Sequence, residues 1–154
     1  MAEAAPTSPL LLASRSPQRR AILEQLGIPF EVIEPRYEEH APEIADATEA
    51  EQMLEELSGK THVVMSGLCL LTPGWEVVEH EGTRVTFREL NPRDLGAYLA
   101  TGEWEGRAGA YAIQGRGAAL VSAIEGDYLN VVGLPAALLV RLLAERFAGT
   151  YGFG

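Results

Sequence analysis

The sequence predicts an α/β fold, a single domain with a mixed, twisted sheet that is flanked by helices. Predicted helices alternate with predicted strands along the chain, and this alternation is typical of the α/β class. The middle of the chain predicts an antiparallel hairpin, which makes the sheet mixed. With 154 residues and 47% hydrophobic content, the chain can bury one core of ordinary size, so one domain is expected.

The first segment predicts a strand, a helix and a second strand. An apolar run ends near Ser14, Ser16 suits the N-cap of a helix, and Pro17 suits the first helical position, where no amide hydrogen is needed. Gly27 ends the helix, and Pro29 precedes the second strand. The three elements are predicted at residues 9–14, 16–26 and 30–34.

The middle segment predicts a loop, a helix and three strands. Prolines and acidic residues without apolar periodicity predict the loop, and Ser58-Gly59 ends the helix that follows it. Glu81-Gly82 is predicted as the turn between the last two strands, which are antiparallel. The elements are predicted as a loop over 34–46, a helix from about Thr48 to Leu57, a strand over 62–71 and a pair of strands within 75–90.

The last segment predicts two helices and one strand. Asn91 and Pro92 predict the start of a helix that ends near Gly102. Frequent glycines over residues 103–117 exclude a long regular element. The remaining predicted elements are a strand over 118–124, a turn at Gly126-Asp127 and a final helix after Gly133 whose leucines form an apolar stripe.

Charge and cysteine content restrict the classes of partner. The net charge of −10 opposes non-specific binding to nucleic acids and anionic membranes, so arginines near the N-terminus predict a local site for a small anion. Cys69 is the only cysteine and lies in an apolar run. This excludes an internal disulfide and predicts a buried structural thiol in a reducing cytoplasm.

Residues 1–8 resemble a flexible leader and residues 149–154 resemble a tail. The apolar run Leu10–Ala13 is too short for a signal-peptide core or a membrane span.

The segment Ser14–Arg20 has the pattern of an anion site. Backbone amides at a helix N-terminus attract phosphate. Arg19 and Arg20 oppose the helix macrodipole, which favours acidic side chains in the first turn, and an anionic ligand would explain their presence. The alternative is an ordinary capped helix with solvated arginines, and this segment alone leaves both interpretations open.

A second candidate site lies in the glycine-rich segment 106–117. Small residues let a backbone approach a ligand closely. Arg107 could hold a phosphate, and the Gln114 amide offers a donor and an acceptor, which suits the edge of a nucleobase. The alternative is a tight turn in which Gln114 braces the backbone. Two such segments in one acidic chain favour a nucleotide ligand.

Short motifs follow one another in order along nearly the whole chain. They are Leu12-Ala13-Ser14 with Ser16-Pro17-Gln18-Arg19, Glu38-Glu39, Leu57-Ser58-Gly59-Lys60-Thr61-His62, Thr86-Phe87-Arg88, Ala108-Gly109-Ala110-Tyr111, Ile113-Gln114-Gly115 and Val132-Gly133-Leu134-Pro135. This set resembles the Maf family, the septum-formation-inhibitor-like nucleoside triphosphate pyrophosphatases. The resemblance implies a Maf/ITPase-like fold over residues 9–148, a homodimer and a housekeeping or cell-division-linked task. It also implies hydrolysis between the α and β phosphates to a monophosphate and pyrophosphate, with Mg²⁺ or Mn²⁺.

The resemblance implies roles for particular residues. Ser14 and Arg19 match the phosphate-binding loop of the family, and Glu39 matches a metal or substrate carboxylate. Arg107 stands where the family usually has lysine; it can still bind phosphate, although its planar fork does not reproduce the point contact of a lysine.

Two glutamines imply the class of base. Gln114 matches a base-recognition position, and Gln18 and Gln114 together occupy positions that separate dTTP and UTP hydrolases from relatives acting on methylated GTP. The sequence resembles the dTTP and UTP type. Lys60 and His62 belong to a motif expected to pack the turn between a helix and a strand, so neither is placed in the site.

The chain departs from the family between Glu39 and the helix near Thr48. There the family has a few dozen more residues, which include an Asp-Thr sequence and a Gly-Lys-Pro sequence. The missing aspartate is the proposed general base of the family, so no catalytic residue is assigned here. Glu38, Glu39 and Asp46 are the nearby carboxylates, but Asp46 resembles a residue that follows the gap and is not the base.

Two functions therefore remain. The first is a nucleoside triphosphate pyrophosphatase of the dTTP and UTP type that lacks an internal segment between about residues 39 and 48. The second is a catalytically inactive nucleotide-binding or regulatory protein that keeps the binding residues Ser14, Arg19, Arg107 and Gln114 without the base.

Overall fold

The computed structural model describes residues 8–35, 44 and 46–153, and these residues confirm the α/β class. The predicted leader other than Ser8 and most of the predicted 34–46 loop lie outside them. The strands are β1 (Leu10–Ala13), β2 (Phe30–Ile33), β3 (Thr61–Leu71), β4 (Glu76–Phe87) and β5 (Val121–Glu125). The helices are α1 (Pro17–Gln25), α2 (Ala47–Leu57), α3 (Pro92–Leu99), α4 (Tyr128–Val132) and α5 (Ala136–Phe147), with a 3₁₀ helix at Arg116–Leu120.

The described residues form two compact units. Unit 1 comprises residues 8–35, 66–81 and 133–153, and unit 2 comprises residues 44, 46–65 and 82–132. In unit 1, β1 and β2 pair in parallel, as the opening strand, helix and strand require. The apolar residues buried along α5 recur at the spacing of one helical face. They are Leu138, Leu139, Leu142 and Leu143.

Unit 2 holds a hydrophobic core around the aromatic residues Phe87, Tyr98, Trp104 and Tyr111. Helix α2 contributes Leu54, which is fully buried. The remaining buried members of this core are Ile44, Ala50, Val85, Leu95, Ala110, Ile113 and Leu120. This core surrounds the glycine-rich segment, because Ala110, Tyr111 and Ile113 all belong to it.

The sheet order β3-β4-β5 corrects the predicted hairpin. Strand β4 continues through Glu81-Gly82, and the turn lies at Thr72–Trp75, where the Thr72 amide donates to the Trp75 carbonyl at 2.9 Å. A Cβ on Gly82 would come within 2.8 Å of the Met65 sulfur, so the glycine makes room for a side chain of the neighbouring strand. The predicted turn was therefore wrong. Pro73-Gly74 was the true turn signal.

The segment after β4 differs from the prediction in three places. Asn91 caps α3 in a reciprocal capping box with Asp94, but α3 ends at Leu99 and not near Gly102. The Thr101 hydroxyl donates to the Tyr98 carbonyl at 2.6 Å and so ends the helix locally. A 3₁₀ helix occupies the start of the predicted 118–124 strand, and α4 was not predicted.

Cys69 is exposed, so the prediction of a buried structural thiol was wrong. The run 62–71 is apolar on both faces of β3, but successive side chains of a strand point to opposite faces. Cys69 lies on the same exposed face of β3 as Met65 and Leu71.

In the described part of the chain, no helix combines the length and apolar character that crossing a membrane requires.

Two glycines make a matched test of backbone geometry in unit 2. Gly126 has φ +124, and a Cβ there would come within 3.2 Å of the Thr83 Cα, so Gly126→Ala should lower the free energy of unfolding by about 1–3 kcal/mol. Gly96 lies inside α3 with nothing within 4 Å of a Cβ. Gly96→Ala should raise stability by up to about 1 kcal/mol. Urea unfolding midpoints measure both changes, and a shift in the same direction would contradict this account.

Candidate functional site

A buried hydroxyl organises the candidate phosphate site in unit 1. Ser14 is only 3% exposed and follows β1 directly. Its Oγ accepts hydrogen bonds from the Ser16 amide at 3.1 Å and from the Arg19 Nη1 at 3.0 Å. Since a buried polar group needs partners, these two contacts fix both the turn before α1 and the arginine on it.

Helix α1 begins as predicted, with Ser16 as its N-cap and Pro17 at its first position. The Ser16 Oγ accepts the Arg19 amide at 3.3 Å and donates to the Gln18 Oε1 at 3.2 Å. The Ser16 and Arg19 amides are thus occupied by side-chain oxygens. Because these two amides already have acceptors, the group that remains to attract an anion here is the Arg19 guanidinium.

The Arg19 side chain also joins two distant motifs. Its Nε donates to the Gly133 carbonyl at 3.1 Å, across 114 positions of the chain. A Cβ on Gly133, which has φ +157, would come within 3.3 Å of the Gln18 Cβ. Gly133 is therefore part of the site. Sequence reasoning used it only to place a helix, and its position within the Val132–Pro135 motif was the available signal.

The other predicted arginine is not equivalent. Arg20 is exposed. Arg15 pairs with Glu34 at 3.0 Å, but both side chains are more than two-thirds exposed, so this ion pair contributes little stability. The structure thus separates one anchored arginine from two surface arginines in the same segment.

The second predicted site, in the glycine-rich segment, lies in unit 2. Gln114 is exposed, and its side-chain amide makes no hydrogen bond within the described parts of the chain. The alternative interpretation, in which this side chain braces the backbone, is therefore not observed. Arg107 is half-buried, and its charge acts on the carboxylate of Glu103. Of the predicted residues, Ser14, Gln18 and Arg19 belong to unit 1, and Arg107 and Gln114 belong to unit 2.

Glu103 is a residue of this segment that sequence reasoning missed. Its carboxylate accepts hydrogen bonds from the Gly117 amide at 2.9 Å, the Arg116 amide at 3.0 Å and the Tyr98 hydroxyl at 3.0 Å. Burial acts to raise the pKa of Glu103, but these three donors and the Arg107 charge together hold it below its ordinary value. The group is a fixed anion.

His62 has a structural role, as expected for its motif. Its Nε2 lies 2.7 Å from the Tyr111 hydroxyl, and its ring packs edge-on against Phe87 and Tyr111. Burial lowers the pKa of His62 and raises the pKa of Tyr111, so both are neutral near pH 7. This cluster holds the start of β3 against the glycine-rich segment within unit 2.

The predicted carboxylates do not form a metal centre in the part of the chain that is described. Glu39, the predicted metal or substrate carboxylate, and its neighbour Glu38 lie outside it. Asp46 is the N-cap of α2, where its carboxylate accepts the Glu49 amide at 2.8 Å. Across residues 8–35, 44 and 46–153, no three His, Cys, Asp or Glu residues lie together as metal ligands.

Comparisons with known proteins agree with the motifs. A family model described as "Maf-like protein" matches residues 9–49 and 43–146. A protein of Nitratidesulfovibrio vulgaris named dTTP/UTP pyrophosphatase is 41% identical over 186 residues, which cover 91% of this chain and 89% of the relative. Proteins of the same name from Moorella thermoacetica and Deinococcus radiodurans are 40% identical over 183 residues and 36% over 196. They cover 89% and 99% of this chain and 94% and 98% of the relatives.

These alignments are longer than the chain. The Deinococcus alignment runs over 196 positions with 99% of a chain of 154 residues, so the relative carries residues that have no counterpart here. The family model matches in two stretches that meet at residues 43–49. The position of the gap, between about residues 39 and 48, stays a prediction.

Asp46 can be tested as a helix cap. Asp46→Ala removes the acceptor for the Glu49 amide and should lower the free energy of unfolding by about 1 kcal/mol, whereas Asp46→Asn keeps an oxygen acceptor and should retain most of it. Urea unfolding of both variants gives the comparison. If Asn proved as damaging as Ala, the charge of Asp46 would have a role that capping does not explain.

Proposed function

Because this chain belongs to the Maf family, we propose that it binds dTTP or UTP and hydrolyses the nucleotide to a monophosphate and pyrophosphate. The observation that carries the proposal is the anchored Arg19, held by Ser14 and Gly133 from two family motifs. Relatives that are 36–41% identical over most of the chain and are named dTTP/UTP pyrophosphatases support the same substrate.

The phosphate side of the proposal depends on two guanidinium groups. Arg19 is held in one orientation by its bonds to Ser14 and Gly133, so little side-chain entropy is lost when it meets an anion. A guanidinium offers several N–H donors in a planar fork that matches phosphate oxygens. Arg107, in unit 2, is the second arginine proposed to bind phosphate, and its charge acts on the Glu103 carboxylate.

The base side of the proposal depends on Gln114. An exposed amide without a partner in the described chain can donate to a pyrimidine carbonyl and accept from its ring N–H. Gln18 is the second specificity position, and its Oε1 is oriented by the Ser16 hydroxyl. Both are glutamines, as the resemblance to the dTTP and UTP type implies.

A divalent cation is part of the proposal, but the described residues do not supply its site. They contain no cluster of three metal-ligating side chains, and Glu39 is not among them. Hydrolysis of this type needs a base to orient or deprotonate water. Asp46 is committed to the cap of α2. No catalytic step is therefore assigned to a described residue.

Nucleotide binding without hydrolysis is the second candidate. Relatives carry positions that this chain lacks, and the Asp-Thr sequence with the expected general base is absent from the sequence. Loss of a general base typically lowers the rate by about 10²–10⁴-fold. The binding residues of both units would remain in such a protein.

Binding is tested by calorimetry with UTP and Mg²⁺. Arg19→Ala should weaken UTP binding about tenfold or more, because charge-assisted hydrogen bonds to phosphate are lost. Arg20→Ala changes an exposed arginine on the same helix and is the matched control, with affinity expected within about twofold of the unaltered chain. Equal losses would assign the effect to net charge and contradict a specific role of Arg19.

Hydrolysis is tested by restoring the missing segment. The corresponding residues of the Nitratidesulfovibrio relative are inserted between residues 39 and 48, and pyrophosphate release from UTP and dTTP is measured. The restored chain should turn over at least about 100-fold faster than the present one, which lacks the base. Absence of turnover in both forms would refute the enzymatic function, and retained UTP binding would then favour the second candidate.

A further inference from the structure

We propose that Glu103 is the positioning residue for base recognition, because it ties down the loop that presents Gln114. This inference rests on the proposed contact between Gln114 and a pyrimidine. Glu103 acts through the loop backbone and does not touch the nucleotide. All the contacts that carry the argument lie within unit 2.

The far end of the loop is held directly by the Glu103 carboxylate. Oε2 accepts the Arg116 amide and Oε1 accepts the Gly117 amide, so the two carboxylate oxygens bind two successive amides. These amides begin the 3₁₀ helix at Arg116–Leu120. An ionised carboxylate accepts on both oxygens and donates on neither, so it matches this pair of N–H groups.

The near end of the loop is held through Tyr98. The Ala112 amide donates to the Tyr98 hydroxyl at 3.0 Å, and this hydroxyl donates to the Glu103 Oε1 at 3.0 Å. Tyr98 is only 4% exposed, so the Ala112 amide has a buried partner. One carboxylate therefore controls both ends of the six-residue loop from Ala112 to Gly117.

Between these two ends the loop makes a tight turn, and Gln114 is one of the residues of that turn. The Gly115 amide donates to the Ala112 carbonyl at 3.1 Å, which makes a turn over residues 112–115. A Cβ on Gly117 would come within 2.4 Å of the Ala112 carbonyl oxygen, and a Cβ on Gly115 would come within 2.4 Å of the Glu103 Oε2. Gly117 is thus required by the close approach of the loop to its own backbone, and Gly115 leaves room for the Glu103 carboxylate.

Glu103 is itself fixed by the end of α3. Its amide donates to the Thr101 hydroxyl at 3.1 Å, and that hydroxyl donates to the Tyr98 carbonyl. The following Trp104 is buried and donates its indole N–H to the Leu99 carbonyl at 2.9 Å. The loop backbone is therefore anchored to a helix of the core, so that the Gln114 side chain, and not the loop, is what must be ordered when a base binds.

The test uses the full chain with Glu103→Gln and Tyr98→Phe, and Glu105→Gln as the matched control at an exposed neighbouring glutamate. Glutamine places an N–H₂ group where Glu103 accepts three donors, and so breaks at least one contact at nearly constant volume. Amide hydrogen exchange over residues 112–117 is measured without nucleotide. Calorimetry then compares UTP with inorganic tripolyphosphate, each with Mg²⁺, and circular dichroism confirms that each variant folds.

In Glu103→Gln, exchange at the Arg116 and Gly117 amides should rise at least about tenfold. UTP affinity should fall about tenfold relative to tripolyphosphate affinity, because the lost charge near Arg107 acts on both ligands and only UTP also loses the base contact. Tyr98→Phe should loosen the Ala112 amide in the same way. Gln114→Ala should lower UTP affinity alone, and adding Glu103→Gln to it should cause no further loss.

The possible failures are distinguishable. If the unaltered chain binds UTP no more tightly than tripolyphosphate, the proposed base contact is refuted, and the role of Glu103 in it falls with it. If Gln114→Ala abolishes a preference for UTP but Glu103→Gln leaves the preference intact, base recognition stands and the positioning role is refuted. Unchanged amide exchange in Glu103→Gln would also refute it, as would equal effects of Glu105→Gln.

Discussion

The buried Ser14 hydroxyl is the contact on which the N-terminal part of the site depends. A hydroxyl that is 3% exposed must find partners within the protein, and it accepts from the backbone of Ser16 and from the side chain of Arg19. The first bond shapes the turn between β1 and α1, and the second holds the guanidinium near the start of the helix. The Gly133 carbonyl completes the arrangement, so the arginine is oriented before any ligand binds.

A similar arrangement recurs in unit 2, where the acceptor is a carboxylate and not a hydroxyl. There a carboxylate, Glu103, collects two backbone amides and a tyrosine hydroxyl, and the loop that carries Gln114 is shaped around it. In both units one acceptor takes a backbone N–H and a side-chain donor at once. Ser14 thus supports Arg19, and Glu103 supports the loop that carries Gln114.

This organisation separates binding from chemistry. The described residues hold the groups proposed to meet phosphate and base, but Asp46 is engaged in capping and no metal cluster is formed among them. The relatives named dTTP/UTP pyrophosphatase carry residues that have no counterpart in this chain when the sequences are aligned. Anchored binding groups remain useful without a base, because positioning and proton transfer are supplied by different side chains.

Local signals were read correctly where the physical cause was local. Ser16-Pro17 and Asn91-Pro92 begin helices, because a cap bonds amides two or three residues away. Glu81-Gly82 was misread as a turn, since a glycine within a strand and a glycine in a turn look alike until the neighbouring Met65 side chain is placed. The burial of Cys69 was predicted wrongly, because an apolar run does not reveal which face of a strand is buried.

The sequence by itself determined the α/β class, the helix starts, the family motifs and the identity of the candidate ligand groups. Only the tertiary structure decided that Arg19 is anchored while Arg20 is exposed, that Gln114 faces solvent and that Glu103 supports its loop. The reason is the separation along the chain of the residues that interact. Helix caps depend on neighbouring residues, whereas the contact of Arg19 with Gly133 spans 114 positions, and no periodicity of the sequence encodes a hydrogen bond across that separation.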